Sequence, residues 1–133
     1  MLYGIGCDLC SLSHLEKSLS SAHAAAFVRR VYGPAEQAAL GLLEGSAAPL
    51  NAHRLASAAA DFAAKEAFLK AVGTGIGGGI ALDEIAVEHL PGGAPVYRLT
   101  GAAQARLGEL GAERAFLSLT HEAGMAAAVC VIE

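Results

Sequence analysis

The stretch from Asn51 to Gly79 constrains this chain more than any other. Asn51 is a good N-cap, and the Ala-rich run to Val72 contains neither Pro nor Gly. That composition predicts one long helix ending near Val72. The helix then meets Gly73-Thr74-Gly75-Ile76-Gly77-Gly78-Gly79, a glycine loop. Within the helix, Glu66 and Lys70 stand four residues apart and share a face. A carboxylate can hold a hard cation, an ammonium can meet a phosphate, and glycine amides can approach another phosphate. These are parts for a metal–diphosphate site. The plainer reading is a surface ion pair worth about 0.2–0.5 kcal/mol, followed by a helix C-cap and a turn. The loop lies beyond the C-terminal end of the helix, where the dipole opposes an anion. Anion binding there would rest on the amides, Thr74 and Lys70. A P-loop, which needs Gly-Lys-Ser/Thr opening a helix, is absent.

The rest of the chain sets limits. Its 133 residues suit one domain, 1–133, with a proper core. With 54% hydrophobic and 17% charged residues it reads as globular. A net charge of −4 argues against nucleic acid as the main partner. No apolar run is long enough for a membrane span, and Met1 to Asp8 does not read as a secretory signal. Three cysteines imply no closed disulfide framework, so a reducing cytoplasm is expected.

Local patterns give the remaining elements. Leu2–Leu9 reads as a strand ending near Asp8. Ser11 caps a helix to Leu19, Ala24–Val31 reads as a second helix, and Pro34 opens a third to about Leu43. Glu44–Leu50 is the clearest loop. Glu84–Leu90 and Val96–Leu99 form a hairpin across Pro91-Gly92-Gly93-Ala94-Pro95. Thr100 caps a short helix that stops at Gly111. Ala115–Thr120 and Met125–Ile132 are strands joined at Ala123-Gly124. Helices first and a three- or four-stranded meander last define an α+β fold, helices around a long central helix on a small antiparallel sheet.

Other residues invite chemistry. Asp8, beside Gly4 and Gly6, could join Glu66 on a cation, where two carboxylates plus diphosphate oxygens and water suit Mg²⁺; the alternative is a cap for the following helix. Cys7 and Cys10 with His14 mimic part of a zinc site but lack a fourth ligand. On a strand the two thiols would face opposite ways. His121, at a strand end, is a site candidate or a structural histidine. No Ser-His-Asp spacing supports a hydrolase triad.

In order, Gly4-Ile5-Gly6-Cys7-Asp8, Phe27-Val28-Arg29-Arg30 with Glu36, Phe62 through Gly77, Gly93-Ala94-Pro95, Gly101-Ala102-Ala103 and Ser118-Leu119-Thr120-His121 resemble the holo-acyl-carrier-protein synthase family of small 4′-phosphopantetheinyl transferases. The Phe62–Gly77 block is the most specific of these. The resemblance implies transfer of 4′-phosphopantetheine from coenzyme A to a serine of an acyl carrier protein, releasing 3′,5′-ADP. It implies Mg²⁺ on Asp8 and Glu66, and Lys70 on the diphosphate. Gly73, Thr74 and Gly75 would line the coenzyme's phosphates, with His121 near the nucleotide. It also implies a homotrimer with sites between subunits. Glu66 and Lys70 are the catalytic candidates, with Glu66 as base for the serine proton.

Three positions depart from the family pattern. His14 stands where an arginine is common, Asp61 where a basic residue is usual, and Met125 where an aromatic is common. They bear on the carrier surface and the site rim, so they leave open whether the carrier is of fatty acid or specialised polyketide type. Lys17, Arg29 and Arg30 are the expected docking cations, unless Arg30 instead pairs with Glu36. Two other classes fit parts of the pattern. One is a non-catalytic coenzyme A- or carrier-binding module, the other a Mg²⁺-dependent phosphatase or pyrophosphatase.

Overall fold

The chain begins with an edge strand that the rest of the molecule returns to meet. The computed structural model describes residues 1–42, 50–75 and 77–133. The loop expected at Glu44–Leu50 falls, except for Leu50, outside the described residues. Strand β1 spans Gly4–Ser11. It starts and ends later than the expected Leu2–Leu9, so Asp8 lies inside the strand rather than at its end. Helix α1, Leu12–Ser20, is capped by the Ser11 hydroxyl, which accepts the His14 N–H at 3.4 Å. Helices α2, Ala24–Val31, and α3, Pro34–Leu40, follow. The long helix α4 spans Ala52–Ala71, with the Asn51 side chain accepting the Arg54 N–H at 2.8 Å.

A 3₁₀ turn at Leu82–Glu84 leads into the hairpin of β2, Ile85–His89, and β3, Pro95–Leu99. Helix α5, Gly101–Glu109, precedes β4, Ala115–Glu122, and β5, Met125–Ile132. Thr100 stands at the N-cap of α5 but its side chain makes no cap bond. The Glu84 carboxylate accepts the Ala102 N–H instead, at 2.5 Å. A charged acceptor suits the positive end of a helix better than a hydroxyl does.

The expected terminal meander is two sheets. β1, β5 and β4 form one antiparallel sheet in that order, and β2 and β3 form the other. Sequence spacing hides this, because β1 pairs with the last strand of the chain. The reason lies in β5. Ala126, Ala128, Cys130 and Ile132 are all buried, so β5 is the central strand and needs a partner on each edge.

Helix α4 packs on β1 and β5. Small residues set the approach. Ala63, Ala64 and Ala67 are fully buried, and a Cβ on Gly6 would run into the carbonyl of Ala67. One on Gly4 would run into that of Ala71. The Gly-Ile-Gly start of β1 thus lets the strand lie directly on the helix backbone.

The opposite face of α4 meets α3 and the β2–β3 hairpin through polar contacts. Tyr32 and Tyr97 donate their hydroxyls to the carbonyls of Ala58 and Ala64, at 2.7 and 2.6 Å. Lys65 pairs with Glu36 at 2.7 Å, both buried. The suggested Arg30–Glu36 pair is therefore not formed; Arg30 is exposed at the end of α2, while Glu36 turns inward. Among the described residues no helix is long and apolar enough to cross a membrane.

Candidate active site

Because β1 lies so close on α4, the side chain of Asp8 reaches the last turns of that helix. Its Oδ1 accepts a hydrogen bond from Lys70 Nζ at 2.8 Å. Lys70 also donates to the Cys7 carbonyl at 2.9 Å. The Asp8 carboxylate is only 11% exposed, while Lys70 is 54% exposed and turns its ammonium to the site's mouth. Glu66, one turn before Lys70, faces Asp8. Burial pushes its carboxyl up to about 7, the hydrogen bond and charge of Asp8 add to this, and Lys70 opposes it. The Lys70 ammonium is raised by its hydrogen bond to Asp8 and by the Asp8 charge. Two residues 62 positions apart in sequence, Asp8 and Lys70, thus meet directly.

The arrangement is short of a cation. With both carboxyls ionised, Asp8 and Glu66 face each other as acceptors with no proton between them. Asp8 Oδ2 is buried and has no hydrogen-bond partner. An orphaned carboxylate oxygen of this kind costs free energy unless something positive meets it. The donor set is two carboxylates, hard oxygen ligands that suit Mg²⁺. Among the described residues no cluster of three His, Cys, Asp or Glu can hold a metal, so remaining ligands would be substrate and water. The partial zinc site does not form. Cys7 is exposed and Cys10 buried, on opposite faces of β1.

The glycine loop leaves the helix as a C-cap. The amides of Gly73 and Thr74 donate to Lys70 O and Leu69 O at 3.2 and 3.1 Å, and that of Gly75 reaches Leu69 O at 3.5 Å. These three amides are turned to the helix end in this structure. Gly73 and Gly75 have φ of 78° and 68°, a conformation side chains disfavour, and nothing lies within 4 Å of where a Cβ would stand. Space is therefore open beside Gly73 and Gly75. The Thr74 hydroxyl is buried without a partner. Among the described residues, Asp8 Oδ2 and Thr74 Oγ1 are the two buried side-chain polar atoms left unpaired, and both belong to the expected site.

His121 is not gathered with the others. It lies within β4, in register with Cys10 through Ala126 of β5. It shares the α4-facing side of the sheet but stands roughly two strand spacings, about 10 Å, from β1. Sequence reasoning missed Arg106, whose guanidinium donates to Val72 O at 3.0 and 3.2 Å and braces the start of the glycine loop.

Fold and site together define an α+β enzyme with a carboxylate–ammonium centre beside a glycine loop. The family model for the 4′-phosphopantetheinyl transferase superfamily matches residues 4–130. The holo-[acyl-carrier-protein] synthase of Methylobacterium sp. (strain 4-46) is 41% identical, over all of this chain and 95% of its own length. The crystal structure of that synthase from Neisseria meningitidis superimposes with a TM-score of 0.79 at 35% identity, covering 100% and 99% of the two chains. The Helicobacter pylori synthase, in complex with coenzyme A, does so at 0.73 and 27% identity, covering 97% and 99%. The chain belongs to the 4′-phosphopantetheinyl transferase superfamily, as an enzyme of the holo-[acyl-carrier-protein] synthase type.

Proposed function

We propose that this enzyme transfers 4′-phosphopantetheine from coenzyme A to a serine of an apo-acyl carrier protein and releases 3′,5′-ADP. The observation that carries the reading is the convergence of Asp8, Glu66 and Lys70, with Asp8 Oδ2 left without a partner. Asp8 and Glu66 would hold Mg²⁺, which supplies charge neutralisation on the diphosphate when bound. Lys70 adds a positive charge at the mouth, where the leaving diphosphate oxygens develop negative charge. Glu66, directly or through a water, accepts the serine proton. The serine oxygen forms a bond to the phosphorus nearest pantetheine, and the bond from that phosphorus to the bridging oxygen breaks. Thr74 and the open loop of Gly73 and Gly75 face the coenzyme's phosphates.

The outer face of the three-stranded sheet supports assembly. Ile5, Leu9, Phe116 and Val129 are exposed there, between 41% and 67%. An apolar sheet face of this kind is the expected seat of a subunit interface. We read it as the contact of a homotrimer with sites between subunits. Light scattering should then return about three times 13.4 kDa. The three cysteines are thiols, which supports a reducing cytoplasm.

For the carrier, the surface of α1 and α2 offers a cleft of about 330 Å³ lined by Ser18, Ser21, His23, Ala26, Phe27 and Arg30. Phe27 stacks on Phe62 of α4 at 6.1 Å, which ties this surface to the helix that bears Glu66. The deciding experiment mixes enzyme, coenzyme A and apo-carrier with and without Mg²⁺ and weighs the carrier. A mass gain of one phosphopantetheine that EDTA abolishes is expected. Coenzyme A binding without any mass gain would instead mark a non-catalytic module. Phosphate or ADP release without carrier would mark a hydrolase.

A further inference from the structure

The face of α4 turned away from Asp8 carries a lysine that solvent does not reach. Lys65 is fully buried. A buried ammonium is costly unless each of its three N–H groups finds an acceptor. Here all three do: Glu36 Oε1 at 2.7 Å, the Ile85 carbonyl at 2.8 Å and the Leu82 carbonyl at 3.1 Å. Glu36 is equally engaged. Its Oε1 also accepts the Gly33 N–H, and its Oε2 accepts the Val87 N–H, both at 3.1 Å. One ion pair therefore joins α3, α4, the 3₁₀ turn and β2.

Where those acceptors fall along the chain matters most. Leu82 opens the 3₁₀ turn and Ile85 follows it, at the far foot of the glycine loop. The near foot, Gly73 to Gly75, is tied to the carbonyls of Leu69 and Lys70. Both feet thus rest on α4, the helix that carries Glu66 and Lys70. We infer that Lys65, clamped by Glu36, is a positioning residue for coenzyme A: it fixes the far foot of the glycine loop, and so the span the loop presents to the diphosphate. This rests on the function proposed above. Packing alone would not require a charge, since an apolar side chain of similar length fills such a space at least as well. An apolar chain would, however, leave the carbonyls of Leu82 and Ile85 without their donor and the foot unclamped.

The test pairs Lys65→Met with Glu36→Leu, so that neither charge is left buried alone. Coenzyme A binding is measured by calorimetry, and amide hydrogen exchange is followed over residues 79–85 in the same protein. The expected result is a folded variant whose Kd for coenzyme A weakens at least tenfold, with faster exchange confined to that segment. In the transfer assay the loss falls on KM for coenzyme A and not on KM for carrier. A folded variant with wild-type Kd and unchanged exchange overturns the inference and leaves Lys65 a packing residue. Should the wild-type enzyme itself bind no coenzyme A, the functional reading falls, and exchange alone then decides whether Lys65 clamps the loop. Should the double variant not fold, Glu36→Gln, which keeps shape but removes the charge, is read the same way. A smaller weakening of Kd supports the clamp, and a wild-type Kd overturns it.

Discussion

The two faces of α4 treat charge in opposite ways. Toward α3 and the hairpin, Lys65 and Glu36 are buried with every donor and acceptor engaged. Toward β1, Asp8 and Glu66 oppose one another, Lys70 stands half in solvent, and Asp8 Oδ2 has no partner. A satisfied buried network specifies how elements meet. An unsatisfied one stores unfavourable interactions that a ligand can relieve. The same helix therefore separates what holds the fold from the face we propose for substrate, within a few residues of sequence.

The sharpest way to break this comparison is to neutralise the strained face. Asp8→Asn or Glu66→Gln should lower kcat/KM by at least ~100-fold, the scale of losing one charge-stabilising group. The thermal midpoint should hold, because each change removes the repulsion between the two carboxylates, and the amide oxygen of Asp8→Asn can still accept from the half-exposed Lys70. Near-normal turnover in either variant would show that the two carboxylates do not share a cation.

Next in size comes Lys70. Lys70→Ala should reduce kcat/KM for coenzyme A by roughly tenfold or more, as expected of one charge-assisted contact. Lys70→Arg should rescue it poorly, since a planar fork does not replace a compact ammonium bonded to both Asp8 and the Cys7 carbonyl. Wild-type kinetics in Lys70→Ala would reduce it to a surface partner of Asp8.

Much of this division was legible in the sequence. The spacing of Glu66 and Lys70 and the glycines that follow mark the strained face, and the bounds of α2 and α4 follow from caps and periodicity. Asp8 was readable as a candidate, but its meeting with Lys70 depends on β1 pairing with β5, a contact between the two ends of the chain that no local pattern encodes. Gly4 and Gly6 were legible only as glycines beside Asp8. Their structural use is to let β1 lie on α4. The buried face left a fainter trace. Asp61, Lys65, Phe68 and Val72 fall at i, i+4, i+7 and i+11, so two charges share a stripe with core residues. Charges on such a stripe signal a buried pair, but the partner Glu36 comes from another helix and cannot be found by spacing. The direction of the loop amides was hidden for the same reason, since the choice between capping a helix and meeting an anion is made by backbone geometry.

A smaller effect sharpens the comparison at the carrier surface. Lys17 and Arg30 are exposed on α1 and α2, and Arg30 lines the cleft beside Phe27. Lys17→Glu with Arg30→Glu should raise KM for carrier several-fold and leave KM for coenzyme A within about twofold, since rim charges act mainly on association. Added salt should shrink the difference. An unchanged KM for carrier would remove these helices from the docking surface.

The smallest expected effect tests the satisfied face itself, at its one uneasy member. Asp61 is 2% exposed and bonds to His89 at 3.2 Å, with His89 half-exposed at the end of β2. Burial pushes its carboxyl from 3.8 up to about 6. His89 and Lys65 pull it down against this, and Glu36 adds to the rise. The folded protein therefore keeps a proton on Asp61 between about pH 4 and 6 that the unfolded chain has released. More protons bound in the folded state mean that this group's contribution to stability falls as pH rises through that window. Asp61→Asn has no proton to lose and still meets His89. Its thermal midpoint should match wild type near pH 4 and exceed it by a few degrees above pH 6, on the order of 1 kcal/mol. Turnover should stay within about twofold, because Asp61 faces the hairpin rather than Asp8. A difference in midpoint that does not change between pH 4 and 7 would mean that Lys65 and His89 keep Asp61 ionised throughout, and that this face is as fully satisfied at Asp61 as it is at Glu36.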